Sequence, residues 1–309
     1  MATLPRTTTP TTTTRSVIEV PERRTTVWMR LTGLGWGGFR YGLLALYMVL
    51  CLYPFAWMIA TSLRTSAGVF SGGLSLWVDS PNWGNYSEIW REANVPRAAI
   101  NTVLITAVCM AAIIMTTSMT AYALTRSNFP GKKIIMVALL TTFLIPGEML
   151  IIPTFYVNRS LHLIGDWKSL IAVILVMTAG AQVFNIYLLM SHFQTLPSEI
   201  YDAAAIDGES YFGTYWHIAF PLVRPALATI SLLTFMGIWN AFLVPLVYLS
   251  QQPNYQTLTI ALIQYSKRFQ TLYHIMAAGA VIALVPVVLI FIFLQRYFIQ
   301  GLTDGATKG

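Results

Sequence analysis

The residue that stands out chemically is Glu148, an ionisable side chain inside the long apolar run "LIPGEMLIIP". A charge at mid-membrane costs roughly 3 kcal/mol on insertion scales, so such a residue faces a cavity, a partner or water. It lies about 15 residues from the basic end of its run, in the outer half at a rise of about 1.5 Å per residue. Lining a solute path is one reading. A carboxylate satisfied by backbone amides freed between Pro146 and Pro153, or by an interface, is the other. Gln182, Asn185 and Asn240 are polar amides within apolar runs and join Glu148 as candidates for a translocation path.

Groups that make and break bonds are missing. The chain has no G-x-x-x-x-G-K-[ST] loop for nucleotide phosphates, and its four histidines (His162, His192, His217, His274) have no metal-ligand spacing. We expect no catalytic residue, no metal and no cofactor bound by this chain. Gly33, Gly35 and Gly38 satisfy G-x-G-x-x-G, but no βαβ pattern surrounds them, so a dinucleotide site is not expected. Cys51 and Cys109 both fall inside apolar runs and read as small core residues rather than a disulfide.

The elements that hold these residues follow from composition. Of 309 residues, 56% are hydrophobic and only 10% charged, with mean hydropathy +0.62; soluble domains carry about 25% charged residues. Six apolar runs approach the roughly 20 residues a helix needs to cross the bilayer: about 41–63, 98–124, 134–157, 167–190, 222–249 and 275–299. Barrel strands would alternate over about ten residues. The expected fold is an all-α polytopic membrane protein with six transmembrane helices. Kinks are expected at prolines such as Pro146 and Pro153.

Basic residues orient the bundle. Arg6, Arg15, Arg23, Arg24, Arg30 and Arg40 precede the first run, and Arg126, Lys132 and Lys133 crowd the loop after the second. By the positive-inside rule both termini are cytoplasmic. The same bias accounts for the net charge of +7, and no clustered basic and aromatic face suggests nucleic acid. Residues 1–26 form a Thr-rich extension expected to be disordered, and 27–40 an interfacial cytoplasmic segment. The six-span domain occupies 41–300, and 301–309 form a cytoplasmic tail. The first apolar run starts too late and is too long for a cleaved signal peptide.

The connection 191–221 is too long for a tight turn and carries "YDAAAIDGES". Ser198 reads as an N-cap, and Ile200, Ala203, Ala204 and Asp207 fall at helical spacing, leaving a shallow alanine face. Gly208 reads as a helix end needing positive φ, followed by a second helical piece over 210–218. Two short helices on the cytoplasmic face of a chain without its own energy source suggest a docking site for a protein that has one.

This stretch resembles the E-A-A loop of binding-protein-dependent ABC transporter permeases: E-A-A, three residues, Gly, nine residues, Ile, one residue, Leu-Pro. Asp202, Ala203, Ala204, Gly208, Ile218 and Pro221 match in register; Asp202 replaces Glu and Phe220 replaces Leu, both conservatively. "FMGIWNAFLVPLVYL" is similar to the W-N-x-F-L-x-P-L signature of the maltose-permease G subunit type among carbohydrate importers. "QRYFIQGLTDGATKG" is similar to that group's tail. The resemblance runs from about Arg40 to Gly309.

The resemblance implies a MetI-like importer permease with cytoplasmic coupling helices, in a bacterial or archaeal cytoplasmic membrane. It implies a heterodimer with a second permease and two ATPase subunits that bind ATP and Mg. An extracytoplasmic binding protein would deliver a sugar, with an oligo- or disaccharide first in line and a polyol or glycerol phosphate ester as the alternative. Asp202, Ala203, Ala204, Ala205, Gly208, Ile218 and Pro221 would couple to the ATPases, and Gly301, Leu302, Thr303 and Lys308 of the tail would contact them. Gln252, Pro253, Asn254 and Tyr255 would meet the binding protein; without the resemblance, the connection from Gln251 to His274 reads as a solvated turn with an interfacial helix. A rival from another class is a stand-alone secondary transporter or channel, for which Glu148 alone makes a thin proton relay.

Overall fold

A computed structural model describes residues 27–180, 182–269 and 272–306. The Thr-rich extension and Lys308 lie outside them. The chain divides into two units, 1–54 and 55–309. Among the described residues all regular structure is helical: α1 (Val27–Ser62), α2 (Ser66–Ser71), α3 (Gly84–Glu92), α4 (Val95–Arg126), α5 (Lys132–Phe143), α6 (Ile151–Ser160), α7 (Lys168–Gly180), α8 (Gln182–Thr195), α9 (Ser198–Ile206), α10 (Tyr211–Thr214), α11 (Phe220–Leu222), α12 (Arg224–Trp239), α13 (Leu243–Leu249), α14 (Leu258–Phe269) and α15 (Tyr273–Ala306). Helix α1 begins at Val27 without a break before residue 41, so the expected interfacial segment and first span are one helix.

Three helical stretches are long and apolar enough to cross a bilayer alone: Gly38–Ser62, Val95–Arg126 and Tyr273–Phe293. Three more candidates are bent pairs, giving up to six spans. Helices α5 and α6 meet at 89°. Pro146 sits at the break in extended backbone (ψ 126°), because it has no N–H to donate and disfavours helical geometry at the residue before it. A 3₁₀ turn, Gly147–Leu150, restarts the chain. Pro153 and Pro286, by contrast, lie inside α6 and α15.

The fifth apolar run departs from expectation. Helix α12 stops at Trp239, residues 240–242 are non-helical, and α13 resumes at Leu243. At about 1.5 Å per residue, the 16 residues of α12 span only about 24 Å. Its partner across a 76° bend is the stretch Tyr211–Leu222, most of which is expected as a short helical piece of the connection and not as part of a span.

Helix α4 is the axis of the second unit and takes part in all three apolar clusters. Ala121, Tyr122 and Leu124 pack with Leu189, Phe193, Tyr215 and Ile230 at one end. Ile105, Cys109 and Ile113 meet Val173, Tyr248 and Leu249 in the middle. Val95 and Ala98 join Ile89, Trp239, Leu262 and Ile275 at the other end. Thr102, Thr117, Ser118 and Thr125 each return their hydroxyl to the carbonyl four residues earlier, which satisfies them inside an apolar helix.

Two expectations need correction here. The connection after Gln251 contains a helix, α14, as the reading without the resemblance has it, but the helix is packed rather than interfacial: Leu258, Ala261, Leu262 and Tyr265 are buried in a cluster with residues of α4 and α15. Cys109 is a core residue, but Cys51 is exposed, because it lies on a helix whose apolar side chains project outward. Both thiols are free.

Candidate functional site

The segment 198–221 folds as a hairpin of short helices. Helix α9 ends in a paired C-terminal lock: Gly208 N–H donates to Ala205 O (3.1 Å) and Glu209 N–H to Ala204 O (2.9 Å). That arrangement places the residue after the cap in the left-handed region, and Gly208 is there at φ +79°. Ser210 caps the next helix, its hydroxyl accepting from Gly213 N–H (3.0 Å). Ser198 does not cap α9 as expected. Pro197 occupies the cap position and supplies no side-chain bond, so Ser198 is the first helical residue.

The expected piece over 210–218 is α10 followed by a π turn, Tyr215–Ala219, leading into α11. Pro221 explains the widening. Its ring would crowd the carbonyl of His217 and cannot donate to it, and Phe220 N–H reaches back to Tyr215 O instead. Ile218 and Pro221 are half-buried. On the outer surface of the hairpin, His217 Nδ1 and Glu209 Oε1 are in hydrogen-bond contact at 2.7 Å.

The alanine face is split rather than uniform. Ala204 is buried, whereas Asp202, Ala203, Ala205 and Asp207 are exposed. Ile206 is 86% exposed, the highest value among the large apolar side chains here, and it lies beside the acidic groups. A small, partly acidic surface with one protruding isoleucine suits a shallow cleft on another protein.

The inner side of the hairpin is aromatic. Tyr122 of α4 has ring neighbours Phe193 (5.7 Å), Tyr201 (6.3 Å), Tyr211 (4.9 Å) and Tyr215 (5.2 Å). Ser118 and Ser127 of the same helical end bond the Tyr215 and Tyr211 hydroxyls, each at 2.8 Å. The Arg126 guanidinium stacks 3.5 Å above the Tyr201 ring and donates to Phe193 O (3.2 Å) and Leu196 O (2.9 Å). Sequence reading took Arg126 only as a topology charge and passed over these tyrosines, since nothing in their spacing joins residue 122 to residues 201–215.

The polar candidates along the spans have distinct surroundings. Glu148 is exposed in the 3₁₀ turn at the α5–α6 break, and its carboxylate has no hydrogen bond among the described residues. Gln182 accepts from Thr116 Oγ1 (3.0 Å) and donates to Thr178 O (3.0 Å). Asn240 is exposed at the end of α12 and donates to Met236 O (2.9 Å). Asn185 is buried, with its amide 3.5 Å from Thr234 Oγ1. No hydrogen bond joins any two of the four among the described residues.

At the other end of α4, the turn before α14 is tied down from below. Asn254 O accepts from Arg97 Nε (3.3 Å) and Asn101 Nδ2 (3.0 Å). Tyr255 donates to Asp166 Oδ1 (3.1 Å), and this bond to the carboxylate holds the phenol above its usual pKa. Gln252 is half-buried, so Pro253 and Asn254 form the exposed tip. Gly301, Leu302 and Thr303 lie on the continuous helix α15.

Residues 113–304 match the family described as "Binding-protein-dependent transport system inner membrane component". The chain is 34% identical over 263 residues to the arabinooligosaccharides transport system permease protein AraQ of Halalkalibacterium halodurans, covering 84% of this chain and 92% of that one. It is 28% identical over 270 residues to the diacetylchitobiose uptake system permease protein NgcG of Streptomyces coelicolor, covering 87% and 88%. Among solved structures, it aligns with a chain of a bacterial ABC transporter involved in import of the acidic polysaccharide alginate. That alignment has TM-score 0.75 and 22% identity, over 86% of this chain and 98% of the other. A second match, TM-score 0.59 and 14% identity over 87% and 93%, is to a bacterial alginate ABC transporter in complex with alginate pentasaccharide-bound periplasmic protein.

Proposed function

This chain belongs to the binding-protein-dependent transport system inner membrane components, and from that premise we propose that it is the permease subunit of an ATP-driven importer for an oligosaccharide. The observation that carries the reading is the exposed face of α9, locked at Gly208 and backed by aromatic packing. It has the form of a docking key with no chemistry of its own. The subunit is non-catalytic, and ATP and Mg belong to partner ATPases. The names of the relatives support a sugar, with oligosaccharides the commonest theme.

A second permease completes the path by heterodimerisation. The exposed apolar side chains of α5, α6 and the break between them, including Ile134, Leu144, Met149 and Ile152, leave room for such a partner or for lipid. Glu148, Gln182 and Asn240 line the path on this reading; Asn185, enclosed between helices, serves packing instead. Pro253 and Asn254 meet the extracytoplasmic binding protein, with Gln252 and Tyr255 supporting the turn. Both termini are cytoplasmic, and the tail from Gly301 to Lys308 reaches the ATPases.

The test is co-expression with a candidate second permease and ATPase, followed by purification in detergent and ATPase assay with the sugar-loaded binding protein. Stoichiometric copurification and sugar-stimulated hydrolysis are expected. A chain that purifies alone and transports without an ATPase would refute the reading.

A further inference from the structure

The hairpin packs on residues of α4, α8 and α12, and its polar and aromatic attachments to the bundle concentrate at one end of α4. Three side chains in the last turns of α4 and the Ser127 cap that follows it make these attachments: Ser118 to Tyr215, Tyr122 to the rings of Tyr201, Tyr211 and Tyr215, Arg126 to Tyr201, and Ser127 to Tyr211. Of these, Arg126 combines a stack on α9 with hydrogen bonds to the chain just before it. Its guanidinium covers the face of Tyr201 on α9, while one nitrogen donates to the carbonyls of Phe193 in α8 and Leu196 in the α8–α9 linker. A planar fork can stack and donate in its plane at once, and an ammonium cannot.

Two atoms at this junction are unsatisfied. Arg126 Nε and the Tyr201 hydroxyl are both buried with no hydrogen-bond partner. The Tyr201 contribution is therefore its ring and not its hydroxyl, which separates two substitutions that would otherwise seem alike.

We infer that Arg126 and Tyr201 form a positioning clamp that fixes the angle of α9 against α4 and α8, so that displacement of α9 is delivered to the axial helix of the bundle. The inference rests on the proposed coupling role of α9 and adds the residues and the span through which that coupling passes. Displacement carried by a stacked, doubly bonded guanidinium reaches α4 without the slack of a flexible linker. Where the clamp is loosened, α9 still presents Ala203, Ala205 and Ile206 to the ATPase, because none of them belongs to the clamp. Docking and transmission are thereby separable.

The experiment uses the full complex in proteoliposomes, with sugar uptake and ATP hydrolysis measured on the same preparation. The variants are Tyr201→Phe, Tyr201→Leu, Arg126→Lys and Arg126→Ala. Tyr201→Leu and Arg126→Ala are expected to copurify ATPase at wild-type stoichiometry, keep the KM for ATP, and lose on the order of fivefold in sugar moved per ATP. Arg126→Lys falls between them and wild type, and Tyr201→Phe restores the wild-type ratio. A purely structural role would lower expression or complex yield without changing that ratio. Wild-type transport per ATP in both Tyr201→Leu and Arg126→Ala overturns the clamp while leaving the docking role of α9 intact. Loss of copurification in the wild-type complex overturns both.

Discussion

Replacing Gly208 by valine perturbs one dihedral pair and little else. An added Cβ at Gly208 meets nothing within 4 Å, so the penalty is conformational rather than a clash with neighbouring elements. At φ +79° an ordinary L-residue loses about 1–2 kcal/mol relative to its preferred regions, and a β-branched side chain lies at the upper end. A cost of about 2 kcal/mol corresponds to a ~30-fold fall in the population holding this turn. Relief requires φ to turn negative, which breaks the bond from Glu209 N–H to Ala204 O and swings α10 relative to α9. Membrane insertion is untouched, since no span contains the residue. The assay is ATPase copurification with sugar uptake. Gly208→Val is expected to lose most of both, Gly208→Ala less, and Gly208→Asn least among the three, because asparagine tolerates the left-handed region. Equal uptake in Gly208→Val and wild type, or Gly208→Asn as damaging as Gly208→Val, would refute the reasoning.

Ala203→Glu, on the exposed face, should block ATPase copurification with thermal stability unchanged, whereas Ala204→Glu, at a buried position, should cost about 4 kcal/mol or more and lower stability first; differential scanning fluorimetry of the purified subunit separates them. Glu148→Ala should reduce uptake with complex yield unchanged, and wild-type uptake would remove it from the path. Tyr255 has a folded pKa raised by Asp166, so its contribution to stability is present below the unfolded value near about 10 and is lost as pH rises above it. Tyrosinate absorbance should therefore show a late-titrating phenol that disappears in Tyr255→Phe and moves down in Asp166→Asn. Deleting residues 301–309 should lower coupled ATP hydrolysis while the spans still insert.

The apolar runs and the E-A-A register were readable because both are local. Length and continuity near 41–63, 98–124 and 275–299 foreshadow α1, α4 and α15, and Gly208 announced its own φ by sitting after an alanine helix. The internal break of the fifth run at Asn240 was hidden by unbroken hydropathy, which reports burial in lipid and not helix continuity. The helical piece over 210–218 is legible, but its pairing with α12 is not, for the complementary reason: the aromatic residues of Tyr211–Leu222 serve a tertiary cluster around Tyr122, a partner about 90 positions away. The Arg126–Tyr201 stack and the enclosure of Asn185 by Thr234 are likewise long-range pairings, and residue type alone cannot distinguish an amide that lines a path from one that joins two helices.

The central claim is that solute movement through this chain is driven by ATP hydrolysis on partner subunits engaged by α9. It is tested most directly in proteoliposomes holding the purified complex, with ATP enclosed on the α9 side and labelled oligosaccharide with its binding protein on the other. The account predicts accumulation that requires ATP, stops with Ala203→Glu, and is indifferent to collapse of proton and sodium gradients. Accumulation that persists without ATP and vanishes when those gradients are collapsed would contradict it.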